Sequence, residues 1–130
     1  MCSSDLLVSL TDLREFHQLG LLDGAAIKVA RVGGVAEARR QIEYLQQHGL
    51  LFLASGLTDP DLALAAAVPL LASHGLQHPA ALNGPQYLTA SVLREPWIPR
   101  AGWLEVRPGW GLGIEVDETQ LERLRSRPLL

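Results

Sequence analysis

Ala25-Ala26-Ile27-Lys28-Val29-Ala30-Arg31-Val32-Gly33-Gly34 is the stretch of sequence that decides the fold. It predicts a short buried strand that runs into a glycine turn. Because successive side chains of a strand point to opposite faces, Ile27 and Val29 share one face while Lys28 lies on the other, between two alanines. Burying an ammonium group is costly unless a partner or a reaction requires it. Lys28 is therefore a candidate functional residue, the alternative being a lysine at an exposed strand edge.

The sequence on both sides of this stretch alternates between helical and strand patterns. We expect strands at 25–30, 50–54 and 79–82, a further short strand at 103–106, and helices that begin near Thr11, Val35, Thr58 and Asp117. The third helix should carry Asp59 and Asp61 in its first turn, where the helix dipole favours anions. Leu50–Ala54 is continuously apolar, as is typical of a parallel strand covered on both faces. The alternation indicates βα units around a parallel sheet.

Composition bounds the class of protein. The chain has 130 residues, 48% hydrophobic and 19% charged, with a net charge of -3, which suits one domain and gives no electrostatic footprint for nucleic acid. No run approaches the roughly 18 apolar residues of a membrane helix, and no signal-peptide pattern opens the sequence. The single cysteine, Cys2, cannot form an internal disulfide, so a reducing cytoplasm is expected. The four histidines show no metal-ligand spacing and are interpreted as surface or cap residues (His17, His48, His74 and His78).

Four motifs in order carry a family resemblance. The four motifs are Lys28 with Arg31–Gly34, Ser55–Pro60, Leu82–Pro85 and Gly111–Asp117. In these motifs the chain resembles the muconate-lactonizing, mandelate racemase-like branch of the enolase superfamily. The likeness covers residues 3–125. It implies the C-terminal part of a modified TIM (β/α)7β barrel over residues 1–90, of α/β class with parallel strands. It further implies an irregular segment, 91–130, that returns toward a capping domain absent here.

The resemblance also implies a chemistry. Enzymes of this family abstract the proton next to a carboxylate, with Mg²⁺ stabilising the enediolate and lysines as acid and base. Lys28 matches one of these lysines, on the sixth strand. Ser55, Gly56 and Asn83 match positions around the substrate, a small carboxylic acid. As isolated residues, Ser55-Gly56 and Asn83-Gly84 are also ordinary turn signals.

Two departures from the family bear on the metal and on the substrate. In the register that aligns Lys28, the family's metal-ligand aspartate falls on Ser4 and the next glutamate on Asp5, so Asp5 is a metal ligand only if the register shifts by one. At the eighth strand, Ala81-Leu82-Asn83 replaces the Asp-x-Asp of dipeptide epimerases and the glutamate of cycloisomerases. No carboxylate is left there for a substrate ammonium, which leaves acid substrates of the o-succinylbenzoate synthase kind open.

The chain is too short to form a complete barrel of this kind. Barrels of this kind need about 250 residues, and the other catalytic lysine and two metal carboxylates lie on earlier strands. We therefore expect a C-terminal fragment of an isomerase or lyase, inactive by itself. The rival hypothesis is a non-catalytic half-barrel that self-associates or pairs with a complementary chain. A small independent α/β domain is the third possibility, with Lys28 on a solvent face.

Overall fold

A computed structural model describes residues 7–56 and 58–126. Its helices and strands alternate as the sequence patterns predict. In chain order they are α1 (Leu10–Gln18), β1 (Gly24–Ile27), α2 (Val35–Gln47), β2 (Leu51–Ala54), α3 (Asp61–Ser73), a 3-10 helix (Gly84–Tyr87) and α4 (Glu118–Arg125). In these residues, no helix is long and apolar enough to cross a membrane.

The two strands are parallel, and a third chain segment continues the sheet. β1 and β2 pair from Gly24 opposite Leu51 to Ile27 opposite Ala54. The predicted strand at 79–82 is reduced to one parallel bridge between Ser55 and Ala81, because only the Ala81 amide and carbonyl bond to this edge, at Ala54 O and Gly56 N. The order β1, β2, residue 81 follows the sequence, as in a barrel built from successive βα units.

β1 is shorter than the predicted strand 25–30, and it ends just before Lys28. The Lys28 carbonyl accepts hydrogen bonds from Arg31 N (2.9 Å) and Val32 N (3.1 Å), which turns the chain out of the sheet. The predicted alternation persists, since Ile27 and Val29 are buried while Lys28 is half-buried.

The first helix begins earlier than predicted. Ser9, and not Thr11, is the N-cap, and its side chain exchanges hydrogen bonds with Asp12 in a capping box. The Ser9 hydroxyl at 2.7 Å from Asp12 Oδ2 lowers the pKa of that carboxyl, because hydrogen bonds to a carboxylate favour its charged form. Both residues are good caps, so their types could not decide between the two starts.

α2 carries its apolar face into the core, because apolar residues recur along it at the helical spacing of three, four and three positions, at Val35, Ala38, Ile42 and Leu45. Ala38, Ile42 and Leu45 are fully buried, whereas Val35 at the start of the helix is 43% exposed. Glu37 joins this helix to α1, since its Oε1 accepts a hydrogen bond from Leu10 N at 3.0 Å. That bond lowers the pKa of Glu37.

The third helix begins at Asp61, and Thr58 is not its cap. Pro60 holds the N-cap position, while Thr58 lies in the left-handed region with a φ of 65°. Asp59 therefore precedes the helix, and only Asp61 lies in its first turn. The helix continues through Pro69, whose missing N–H removes one backbone hydrogen bond.

Beyond residue 90 the chain is mostly irregular, as expected. The predicted strand at 103–106 is wrong, because only Trp103 bridges, to Arg100. Asp117 is the cap of the last helix as predicted, accepting a hydrogen bond from Gln120 N at 3.0 Å. A second apolar cluster fixes this segment to α3, with Leu93 and Trp97 packed on Leu64 and Val68.

Candidate active site

The candidate residues follow the carboxyl ends of neighbouring parallel segments. Lys28 comes directly after β1, and Ser55 directly after β2, one step beyond the pair Ile27–Ala54. Ser55 N donates to Ile27 O at 3.1 Å. The hydrogen bonds between β1 and β2 therefore continue to the positions from which Lys28 and Ser55 leave the sheet. In βα barrels this end of the sheet is where active sites are built.

Lys28 is the only lysine of the chain. Its side chain is half-buried, and it is placed at the rim by the turn that its own carbonyl closes. A lysine at this position combines a flexible stem with an amine that can hold or release a proton, which are the properties of an acid/base group.

Ser55 and Gly56 directly follow β2 at the end of the sheet where Lys28 follows β1, and part of their hydrogen-bonding capacity is already used. Ser55 Oγ donates to Gly56 O at 3.2 Å, which leaves the hydroxyl lone pairs as acceptors. The Gly56 amide donates to Ala81 O at 2.8 Å. The Gly56 N–H is therefore already used within the sheet and is not available to a ligand.

Asn83 lies two residues beyond the bridge at Ala81 and is exposed. Its Nδ2 donates to the hydroxyl of Tyr87 at 3.2 Å, across one turn of the 3-10 helix. The side-chain oxygen remains as an acceptor at the same end of the sheet.

One carboxylate at this rim was missed by reasoning from the sequence. Asp59 was predicted to be a helix-terminal charge, but its side chain folds back over the loop after β2. A Cβ placed on Gly56 would lie 3.0 Å from Asp59 Oδ2. The signal that could have found it is Pro60, which favours the position next to a helix start and so moves Asp59 out of the helix.

Gly84 holds the two site loops together, and replacing it by alanine is expected to separate them. A Cβ there would lie 2.1 Å from the carbonyl oxygen of Asp59 and 2.6 Å from the carbonyl carbon of Thr58. Backbone atoms cannot move aside as a side chain can, so we expect Gly84→Ala to lower the free energy of unfolding by about 3 kcal/mol in urea titrations. Gly56→Ala is the matched control, because its Cβ meets the movable Asp59 carboxylate, and its loss should stay near 1 kcal/mol. Equal losses would contradict the packing of residue 84 on this loop.

The described residues do not by themselves provide a magnesium site. In residues 7–56 and 58–126, no three His, Cys, Asp or Glu side chains come together in a way that could hold a metal ion. Asp5, the predicted metal ligand, lies outside the described residues. A hard cation such as Mg²⁺ needs several oxygen ligands, so the other ligands would have to come from outside this part of the chain.

Comparisons with known proteins place this geometry in a family. The sequence family described as enolase C-terminal domain-like matches residues 2–120. The chain is 25% identical to the o-succinylbenzoate synthase of Enterococcus faecalis over 122 residues, which are 93% of this chain and 33% of that protein. It is 36% identical to muconate cycloisomerase 1 of Acinetobacter baylyi over 104 residues, 79% of this chain and 28% of that protein.

Solved structures show the same fold. The muconate lactonizing enzyme of Klebsiella pneumoniae superposes with a TM-score of 0.88 at 20% identity, over 94% of this chain and 34% of that one. The predicted fold, the C-terminal part of an α/β barrel, is confirmed. The chain spans about a third of the length of the curated relatives it matches. With parallel strands that follow one another in chain order and a family match over residues 2–120, the chain belongs to the enolase C-terminal domain-like family.

Proposed function

We propose that this chain is the C-terminal barrel portion of an isomerase or lyase that removes the proton next to the carboxylate of a small organic acid. The observation that carries the proposal is the position of the only lysine, Lys28, directly after β1 at the carboxyl end of the sheet. Ser55 and Gly56 follow the neighbouring strand in register, and Asn83 follows the third segment. A base beside hydrogen-bonding groups suits the removal of a proton from a substrate held at this rim.

Lys28 is the acid/base group in this proposal. The neutral amine takes the substrate proton at Nζ, so that the C–H bond breaks, an N–H bond forms, and the electron pair moves into the adjacent carboxylate. Returning the proton to the same or another carbon completes an isomerisation. The Ser55 lone pairs and the Asn83 oxygen orient donor groups of the substrate, and Gly56 belongs to the loop after β2 that lies next to it.

Magnesium is the cofactor that the family implies, and Asp5 is the proposed ligand within this chain. The described residues do not complete such a site, so the remaining ligands and the second acid/base group are assigned to the part of the barrel that this chain does not contain. The isolated chain is therefore expected to be inactive. Turnover of an acid substrate by the purified chain with added Mg²⁺ would contradict this assignment.

A hybrid enzyme tests the proposed function directly. The last third of the o-succinylbenzoate synthase of Enterococcus faecalis, to which this chain is 25% identical, is replaced by the present chain, and formation of o-succinylbenzoate is measured. We expect the hybrid to show turnover that neither half shows alone. A folded hybrid without turnover, at a melting temperature close to that of the parent enzyme, would argue against a catalytic role.

Two junctions in this hybrid separate the role of Asp5 from that of Lys28. Joining at residue 1 keeps Ser4 and Asp5, whereas joining at residue 7 lets the relative supply that segment. Equal turnover supports Asp5 as a metal ligand. Turnover only with the residue 7 junction shows that Asp5 does not replace the family's metal-ligand aspartate, whose position Ser4 occupies in this chain. That outcome leaves the proposed role of Lys28 unaffected.

A specific observation favours the second candidate function, a half-barrel that works by pairing. In the described part of the chain, β1 has a strand neighbour on one side only. Trp103 is 77% and Trp110 100% exposed, and large exposed aromatic side chains are typical of surfaces that another chain covers. Sedimentation velocity of the isolated chain tests this candidate. Self-association supports it, and a monomer that melts cooperatively contradicts it.

A further inference from the structure

Two histidines and a tyrosine meet where α1 and α2 end, far from the candidate active site. His17 lies in the last turn of α1, and His48 is the C-cap of α2. The ring centroids of His17 and His48 are 5.0 Å apart, and the Tyr44 ring lies 4.1 Å from that of His48. Sequence spacing does not reveal this pair, because the two histidines are 31 positions apart and become neighbours only when the helices pack.

Each of the two imidazole rings is oriented by a hydrogen bond at its own Nδ1. His48 Nδ1 lies 2.8 Å from the carbonyl oxygen of Tyr44, which can only accept, so this nitrogen carries the proton and Nε2 of the neutral ring is a free lone pair. His17 Nδ1 lies 2.8 Å from the Tyr44 hydroxyl. No hydrogen-bond partner of either Nε2 is found within residues 7–56 and 58–126. A second-shell bond of this kind at the other nitrogen is the usual arrangement of a metal-binding histidine.

The ring separation fits a shared ion. With metal–nitrogen bonds of about 2.0–2.1 Å, two imidazoles on one tetrahedral ion have centroids roughly 5 Å apart. The rings are inclined by 78°, and rotation about each metal–nitrogen bond leaves such an angle unrestricted. The Arg14 guanidinium lies 5.6 Å from the Tyr44 ring centroid, and its positive charge lowers the affinity without occupying either Nε2.

We propose that Nε2 of His17 and Nε2 of His48 bind one divalent transition-metal ion of the zinc or nickel kind, with water completing its coordination. Imidazole suits these ions, whereas Mg²⁺ prefers oxygen ligands. His48 and Gly49 lead into the amino end of β2, so this site lies at the opposite end of the sheet from Lys28. The ion would link the end of α1 to the end of α2. Its role would be structural and independent of the proposed catalytic function.

Metal titration of the full chain, produced without a polyhistidine tag, tests the proposal. Isothermal titration with Zn²⁺ and with Ni²⁺ is expected to show one ion per chain, and Mg²⁺ is expected to show no binding at this site. His48→Gln should weaken zinc binding at least 30-fold, and Tyr44→Phe about tenfold, because it frees the His17 ring. His78→Gln is the matched control, since His78 is also exposed, and it should bind zinc as the unchanged chain does.

A second readout separates binding from folding. Zinc should raise the melting temperature of the chain, since an ion that binds only the folded state stabilises it, and this rise should disappear in His48→Gln. His48 is exposed, so that variant folds without zinc. Absence of zinc and nickel binding, unchanged affinity in His48→Gln, or an equal loss in His78→Gln would each overturn the proposal.

Discussion

Replacing Lys28 by methionine in the hybrid enzyme is expected to lower kcat about a thousandfold, within the range of 10²–10⁴ that a positioned acid/base group contributes. Methionine keeps much of the length and apolar volume of the lysine stem but can neither accept nor donate the proton. KM should change far less, because substrate binding in the proposal rests on Ser55, Gly56 and Asn83. Steady-state kinetics of the two hybrids give both quantities.

Lys28→Arg separates proton transfer from charge. A guanidinium keeps the positive charge but is not deprotonated in proteins, so we expect it to lose as much activity as methionine does. Retention of activity in the arginine variant would show that Lys28 acts only as a charge. Arg40→Gln is the control, because it removes a cation from the exposed face of α2 and should leave kcat unchanged.

The unique lysine gives a spectroscopic check that does not depend on turnover. Isotope-labelled lysine gives a single Nζ signal in the isolated chain, and in the hybrid the Lys28 signal is identified as the one that is absent from the Lys28→Met hybrid. Adding an unreactive acid analogue to the hybrid should shift that signal if the amine lies at the substrate. An unmoved signal at saturating analogue would place Lys28 outside the site.

The sequence was sufficient for the features that depend on local periodicity. Ala38, Ile42 and Leu45 are buried on α2 because their spacing repeats with the helix, and β1 and β2 end side by side because they are parallel. Ser55, Gly56 and Asn83 became candidates only through the resemblance to a family, because as isolated residues they are ordinary turn signals. Their roles stay predictions, since geometry alone does not establish which of them contacts the substrate.

Features that depend on distant partners were not predictable in this way. Asp61 was interpreted as a helix-terminal charge, yet it is only 2% exposed and bonds to residues 30 and 36 positions further along the chain. His17 and His48 likewise meet only through helix packing. An irregular segment has no period that would reveal such pairings, so its contacts become visible only in the folded chain.

Replacing Asp61 by alanine is expected to cost about 4 kcal/mol of unfolding free energy, the second large effect. Asp61 Oδ2 accepts hydrogen bonds from the Ser91 hydroxyl at 2.5 Å and from the buried Trp97 amide at 3.2 Å. Hydrogen bonds to a charged group contribute about 1.5–3 kcal/mol each, and an orphaned buried donor adds a further penalty. Asp61→Asn keeps the shape and one acceptor oxygen, so it should lose roughly half as much.

Trp97 reports this change at the place where it occurs. It is 4% exposed, whereas Trp103 and Trp110 are exposed and can be replaced by phenylalanine, which leaves one buried tryptophan as the fluorophore. In Asp61→Ala its emission should move to longer wavelength before the main urea transition, because losing both bonds frees residues 91–97 from α3 while β1, β2 and α2 keep their own core. Asp59→Ala is the control, since Asp59 makes no hydrogen bond of this kind within the described residues, and it should leave Trp97 unchanged. A single transition in Asp61→Ala, with Trp97 emission unchanged until the whole chain unfolds, would show that apolar packing on Leu64 and Val68 holds the segment and that the buried carboxylate only adds to it.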